Sequence, residues 1–94
     1  YILADDQDFD FTFVGPNPAS EVVAIKFMSN TKNHLTLTLT DAYGNQIETL
    51  FDGTVSEEVM YDVVINVNNL HTGLYIATLS STSGMKTQKI IVNR

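Results

Sequence analysis

Apolar and polar positions alternate along most of this chain. In Phe9-Asp10-Phe11-Thr12-Phe13 three rings fall on one face. In His34-Leu35-Thr36-Leu37-Thr38-Leu39-Thr40 the leucines take one face and the threonines the other. A period of two is the mark of a strand with one buried and one wet side. The same reading predicts strands over Glu21–Met28, Gln46–Phe51, Tyr61–Val67, Leu74–Ser80 and Lys86–Asn93. Breakers separate them: Gly15-Pro16-Asn17-Pro18, Ser29 to Asn33, Tyr43-Gly44-Asn45, Asp52-Gly53, Asn68-Asn69 and Ser80 to Gly84. Seven short strands with turns at this spacing predict an all-β, seven-stranded immunoglobulin-like β-sandwich. The expected core is Phe11, Phe13, Val23, Ile25, Phe27, Leu35, Leu37, Leu39, Ile47, Val63, Ile65, Val67, Tyr75, Ala77 and Leu79, with Phe9 joining it or covering its rim.

Composition agrees with this pattern. Val, Ile and Thr supply 27 of the 94 residues, and branched side chains suit a pleated surface. No segment shows helical periodicity, and no internal repeat is visible. The absence of cysteine removes disulfide frameworks, thiolate zinc sites and thiol catalysis. A formal net charge of −6 argues against nucleic-acid partners, which favour basic surfaces. No apolar run approaches the length of a membrane-spanning helix. The chain starts at Tyr1 with neither an initiator Met nor a signal peptide, which suggests a piece of a longer protein.

Charge is uneven. Asp5, Asp6, Asp8 and Asp10 crowd the start, whereas the last nine residues carry Lys86, Lys89 and Arg94 and no acid. Residues 1–8 are expected to be an acidic linker and residues 9–94 the folded domain. The acidic cluster lacks the bend glycine and distal glutamate of a calcium loop, so no metal is expected there. His34 and His71 have no metal-ligand spacing, and Ser20, Ser80, Ser81 and Ser83 lack a nucleophile-elbow setting. The expectation is therefore no catalytic residue, no metal and no cofactor.

Four local motifs stand in a definite order. Pro16-Asn17-Pro18 follows the first strand. Asp41-Ala42-Tyr43-Gly44 closes the central one. Leu70-His71-Thr72-Gly73-Leu74-Tyr75 opens the sixth, and Lys89-Ile90-Ile91-Val92 lies near the C-terminus. Each has a structural use. The prolines remove two backbone donors at a crossover. Gly73 permits a tight turn, and Tyr75 would fill the core while its hydroxyl bonds upstream backbone near Leu70. The ordered set resembles the type-A C-terminal sorting domain of the type IX secretion system, over residues 11 to 94. Where that family commonly has a basic residue after the turn glycine, this chain has Asn45. Hook-capping immunoglobulin-like domains share the Pro-Asn-Pro start and Gly-x-Tyr end, but usually carry a Trp-Asp-Gly that is missing here.

The resemblance implies a non-catalytic secretion signal. A cargo protein of a Bacteroidota bacterium reaches the periplasm by a separate signal. The domain then directs it through the outer-membrane type IX translocon, and a cell-surface sortase usually removes the domain and attaches the cargo to anionic lipopolysaccharide. The expected partners are thus the translocon, the sortase and an N-terminal cargo domain. Lys89, Ile90, Ile91, Val92 and Arg94 are the expected recognition residues, because a terminal strand can be captured by strand addition. Pro16, Asn17, Pro18, Asp41, Gly44, Leu70, Gly73 and Tyr75 are expected to be mainly structural. A second reading is a carbohydrate-binding or adhesive module, for which Tyr1, Tyr43 and Tyr61 are the available aromatics. A third is an assembly domain that self-associates through its strands.

Overall fold

The computed structural model describes residues 9–16, 21–82 and 84–93. These hold seven strands: β1 (Phe9–Gly15), β2 (Val22–Ser29), β3 (Asn33–Asp41), β4 (Gln46–Val55), β5 (Tyr61–Asn66), β6 (Gly73–Ser81) and β7 (Gly84–Val92). They form a three-stranded sheet, β1-β2-β5, and a four-stranded sheet, β4-β3-β6-β7, with every pairing antiparallel. The sheets pack face to face as the expected immunoglobulin-like sandwich.

The alternating pattern explains the layers. Leu35, Leu37 and Leu39 of β3 are buried, as are Tyr75, Ala77 and Leu79 of β6 and Val23, Ile25 and Phe27 of β2. The intervening threonines point to water. On the outer face Thr38 pairs with both Thr49 and Thr78, and Thr78 pairs with Thr87, so a row of hydroxyls crosses all four strands. Phe27, at the centre, packs edge-on to Phe51 of the other sheet at 5.3 Å and stacks on Tyr61 at 5.8 Å. The Tyr61 hydroxyl accepts the Ser56 backbone N–H at 2.8 Å and closes the loop between β4 and β5.

Two expected core residues lie outside. Phe13 is 52% exposed, because a bulge between Phe11 and Phe13 leaves Thr12 unpaired in the register. That single extra residue turns Phe13 opposite Lys26, on the outer face, and brings Val14 inward against the core. Ile47 is 44% exposed for the same reason: Leu39 pairs with Glu48 and Thr40 with Gln46, so Ile47 is the extra residue. Phe11 and Val63 pack against the core but are only partly buried. Phe9 is buried, and so are Met28, Val55, Ile90 and Val92, which the alternation did not assign.

Asp52-Gly53 does not break β4. Asp52 pairs with Thr36 and Gly53 with Leu35, and the strand runs on to buried Val55. The Asp52 carboxylate faces out, where it meets His34 Nε2 at 2.6 Å and accepts from Thr36 Oγ1 at 3.3 Å. A Cβ placed at Gly53 would stand 3.7 Å from the Phe51 ring, an ordinary contact.

Candidate functional site

Antiparallel register brings the sequence motifs to one end of the sandwich. Asp41, the last residue of β3, pairs with Tyr75 near the start of β6. Gly73, Leu74, Tyr75 and Ile76 pair in turn with Val92, Ile91, Ile90 and Lys89 of β7. In the other sheet Gly15, ending β1, lies opposite Ala24, and Asn66, ending β5, lies opposite Val22. The segment from Val67 to Thr72 joins the end of β5 to the start of β6, so both sheets share this end. Pro16, the Asp41–Gly44 turn, the Leu70–Tyr75 corner and the C-terminal part of β7 therefore gather at one pole. Asn17, Pro18 and Arg94 lie outside the described residues, as do Tyr1, Asp5, Asp6 and Asp8 of the acidic start.

The Asp41 side chain builds its own turn. Oδ1 accepts the Tyr43 and Asn45 backbone N–H groups, each at 2.9 Å, and Oδ2 accepts the Asn45 side-chain amide at 3.3 Å. The backbone closes the same loop, with Gly44 N–H donating to the Asp41 carbonyl at 3.1 Å and Asp41 N–H to the Asn45 carbonyl at 3.0 Å. Gly44 has φ of 86°, a conformation that side-chain-bearing residues adopt at a cost. Asn45, standing where a basic residue is common, thus clasps the carboxylate twice.

These donors, the Asn45 backbone N–H first, hold the Asp41 carboxyl below its ordinary value of 3.8. A carboxylate whose pKa folding lowers contributes stability that is complete above its unfolded value, about 3.9. That contribution is lost as pH falls through the lower folded value. Asp41→Ala should accordingly reduce the unfolding temperature at neutral pH. The gap from the parent should narrow as pH drops below about 3.9, as circular-dichroism melts across pH will show.

The corner is built as the sequence suggests, with one shift. Tyr75 is buried, and its hydroxyl donates to the His71 carbonyl at 2.7 Å, one residue beyond Leu70. Leu70 packs against the core while its N–H donates to the Val67 carbonyl at 3.0 Å. Asn66 Oδ1 accepts the Asn68 N–H at 2.9 Å and starts the turn. Gly73, with φ of 156°, redirects the chain into β6.

The residues of β7 divide by face. Ile90 and Val92 are buried in the core, whereas Lys89 and Ile91 point outward. Beside them Leu74, the register partner of Ile91, is 37% exposed. Tyr43, at the neighbouring turn, is 91% exposed. A shallow depression runs between this turn and the His71–Tyr75 corner. Leu74 was not among the residues singled out from the sequence. Its signal was a failure of alternation: Leu74-Tyr75-Ile76 and Ile90-Ile91-Val92 are apolar on both faces.

Among the described residues this pole shows no arrangement for bond-making chemistry. His34 and Asp52 pair on the exposed outer face of the sheet, where ion pairs contribute little. Among the described residues no three His, Cys, Asp or Glu side chains group closely enough to hold a metal ion. Tyr61 is stacked on Phe27 and does not join Tyr43 in an aromatic platform.

Residues 14–93 match the family described as the secretion system C-terminal sorting domain. The match covers most of the chain and includes all four motifs. No curated protein matches the chain.

Proposed function

Because this chain belongs to the type IX secretion C-terminal sorting domain family, a family of sorting signals and not of catalysts, we propose a specific route for its cargo. Membership itself makes the domain a secretion signal that engages the type IX machinery and is carried by a secreted or cell-surface protein. In the proposed route, a cargo lying N-terminal to residues 9–94 is already in the periplasm. The folded domain docks on the outer-membrane translocon and accompanies the cargo across. A cell-surface sortase then cuts the domain away, with the acidic linker of residues 1–8 presenting the cleavage region. The domain is substrate to both partners.

One observation supports this reading above the others: the described parts of the four family motifs, far apart in sequence, meet at a single pole. A signal that must survive as a folded object needs its recognised parts held in fixed relation, and the Asp41 turn and Tyr75 corner supply that rigidity. The C-terminal part of β7 lies within this frame, with Lys89 to Val92 laid along Ile76 to Gly73. Docking then draws on side-chain contacts along its outer face.

The test is export of a reporter. A periplasmically delivered reporter carrying residues 1–94 should appear outside a type IX-competent cell, and the same reporter carrying residues 1–88 should remain in the periplasm. Equal export of the two would remove the terminal strand from the proposal. Since the deletion also removes buried Ile90 and Val92, retention of the shorter tag must be paired with variants that spare the core.

A further inference from the structure

We propose that an apolar, acid-rimmed surface of the secretion machinery contacts the outward face of β6 and β7 at the motif pole, centred on Leu74 and Ile91. This inference rests on the export reading and assigns its docking surface.

Three observations carry it. First, the outer face changes character along its length. Its middle is the hydroxyl row from Thr49 to Thr87. One row toward the pole lie Thr40, Ile76 and Lys89, and the next holds Leu74 opposite Ile91. Ile91 is 48% exposed on a face where the residues above it on β7, Lys89 and Thr87, are polar. Second, Tyr43 stands beside this pair at the turn that the Asp41 carboxylate fixes. Large aromatics with a polar tip and an apolar partner nearby are the usual anchors of protein contacts.

Third, charge is segregated. All 11 acidic residues lie at or before Asp62, and the chain after it carries Lys86, Lys89 and Arg94 with no carboxylate side chain. On the four-stranded sheet β6 and β7 themselves carry no acid; Asp41 ends the neighbouring β3 with its carboxylate turned into its own loop, and Glu48 and Asp52 belong to β4 on the far side. The remainder of the domain is strongly negative. An acidic partner would be repelled by most of this surface and accepted at the β6–β7 face, which selects both the site and the orientation of docking. A second copy of this chain is a poorer fit, since like patches would oppose lysine to lysine in a two-fold contact.

The experiment uses the reporter carrying residues 1–94 and reads the exported fraction. Ile91→Glu and Leu74→Glu should each lower it about tenfold, by placing like charge against an acidic rim. Ile91→Lys should retain more export than Ile91→Glu. Val64→Glu, exposed on the opposite sheet, should export as the parent does. Each variant should melt within about 3 °C of the parent, as exposed substitutions do. If Ile91→Glu melts lower, Ile91→Thr keeps the β-branched shape and should still reduce export about threefold.

Parent-like export of Ile91→Glu and Leu74→Glu would overturn the proposed surface while leaving the export reading intact. Equal loss for Ile91→Lys and Ile91→Glu would overturn the acidic partner. Equal loss for Val64→Glu would show a general penalty unrelated to this face. Retention of the parent reporter in the periplasm would overturn the export reading itself. A dimer in sedimentation that Ile91→Glu dissolves would assign the patch to a second copy, against the proposal.

Discussion

Ile90→Asp should leave the domain unfolded at room temperature. Ile90 is 1% exposed and sits in the central cluster, opposite Tyr75 in the register. Among the described residues no buried polar side-chain atom lacks a partner, and the hydroxyl of the facing Tyr75 is already donated to the His71 carbonyl. The substitution forfeits about 2 kcal/mol of apolar transfer. It adds several kcal/mol more, either to desolvate a charge or to keep the acid protonated. Together these approach the whole stability of a domain this size, about 5–15 kcal/mol. Far-ultraviolet circular dichroism without denaturant checks the outcome. One position along, Ile91 points to water, and its substitutions should spare the fold. Adjacent residues of one strand thus separate what holds the domain together from what a partner can touch.

Phe27→Ala should cost about 3–5 kcal/mol. For a domain of this length that is a fall of about 15–30 °C in the unfolding midpoint. Phe27 is fully buried and joins the sheets, meeting Phe51 edge-on from β4 and lying parallel to Tyr61 from β5. Its removal opens a cavity that the flanking rings fill only by leaving their present geometry. Tyr61 is also the acceptor for Ser56, so the loop between β4 and β5 should loosen in the same variant. Urea unfolding measures the energy directly. A loss below about 1 kcal/mol would show that the three rings repack without cost.

Most of the architecture was legible in the chain because alternation is a property of neighbours. The leucine and threonine faces of β3 and the inward series of β6 follow from local order alone. The Tyr75 corner was legible too, since a glycine, a tyrosine and an upstream turn suffice to define it. What escaped depends on partners remote in sequence. No residue near Thr12 or Ile47 announces a bulge, yet one unpaired residue at each place turns Phe13 and Ile47 outward. Asp52-Gly53 has the composition of a turn, but β3 supplies partners for both residues, and strand pairing outweighs local preference. Ile90-Ile91-Val92 could not be phased at all, because three branched apolar residues in a row carry no alternation. Pairing with β6 decides which of them enter the core.

The same distinction governs the candidate site. Its motifs could be recognised singly, but their meeting at one pole is a consequence of strand order. β3 and β7 flank β6 on either side, so Asp41 and Ile90 both meet Tyr75. The contribution of Leu74 is visible only once Ile91 is seen opposite it.

The central claim is that this folded domain directs export by the type IX route. Its most direct measurement is the share of a periplasmically delivered reporter, tagged with residues 1–94, found outside cells that possess the type IX translocon and outside matched cells that lack it. The account predicts that the reporter leaves the first cells and accumulates in the periplasm of the second. Retention in both, or release from both, would contradict it.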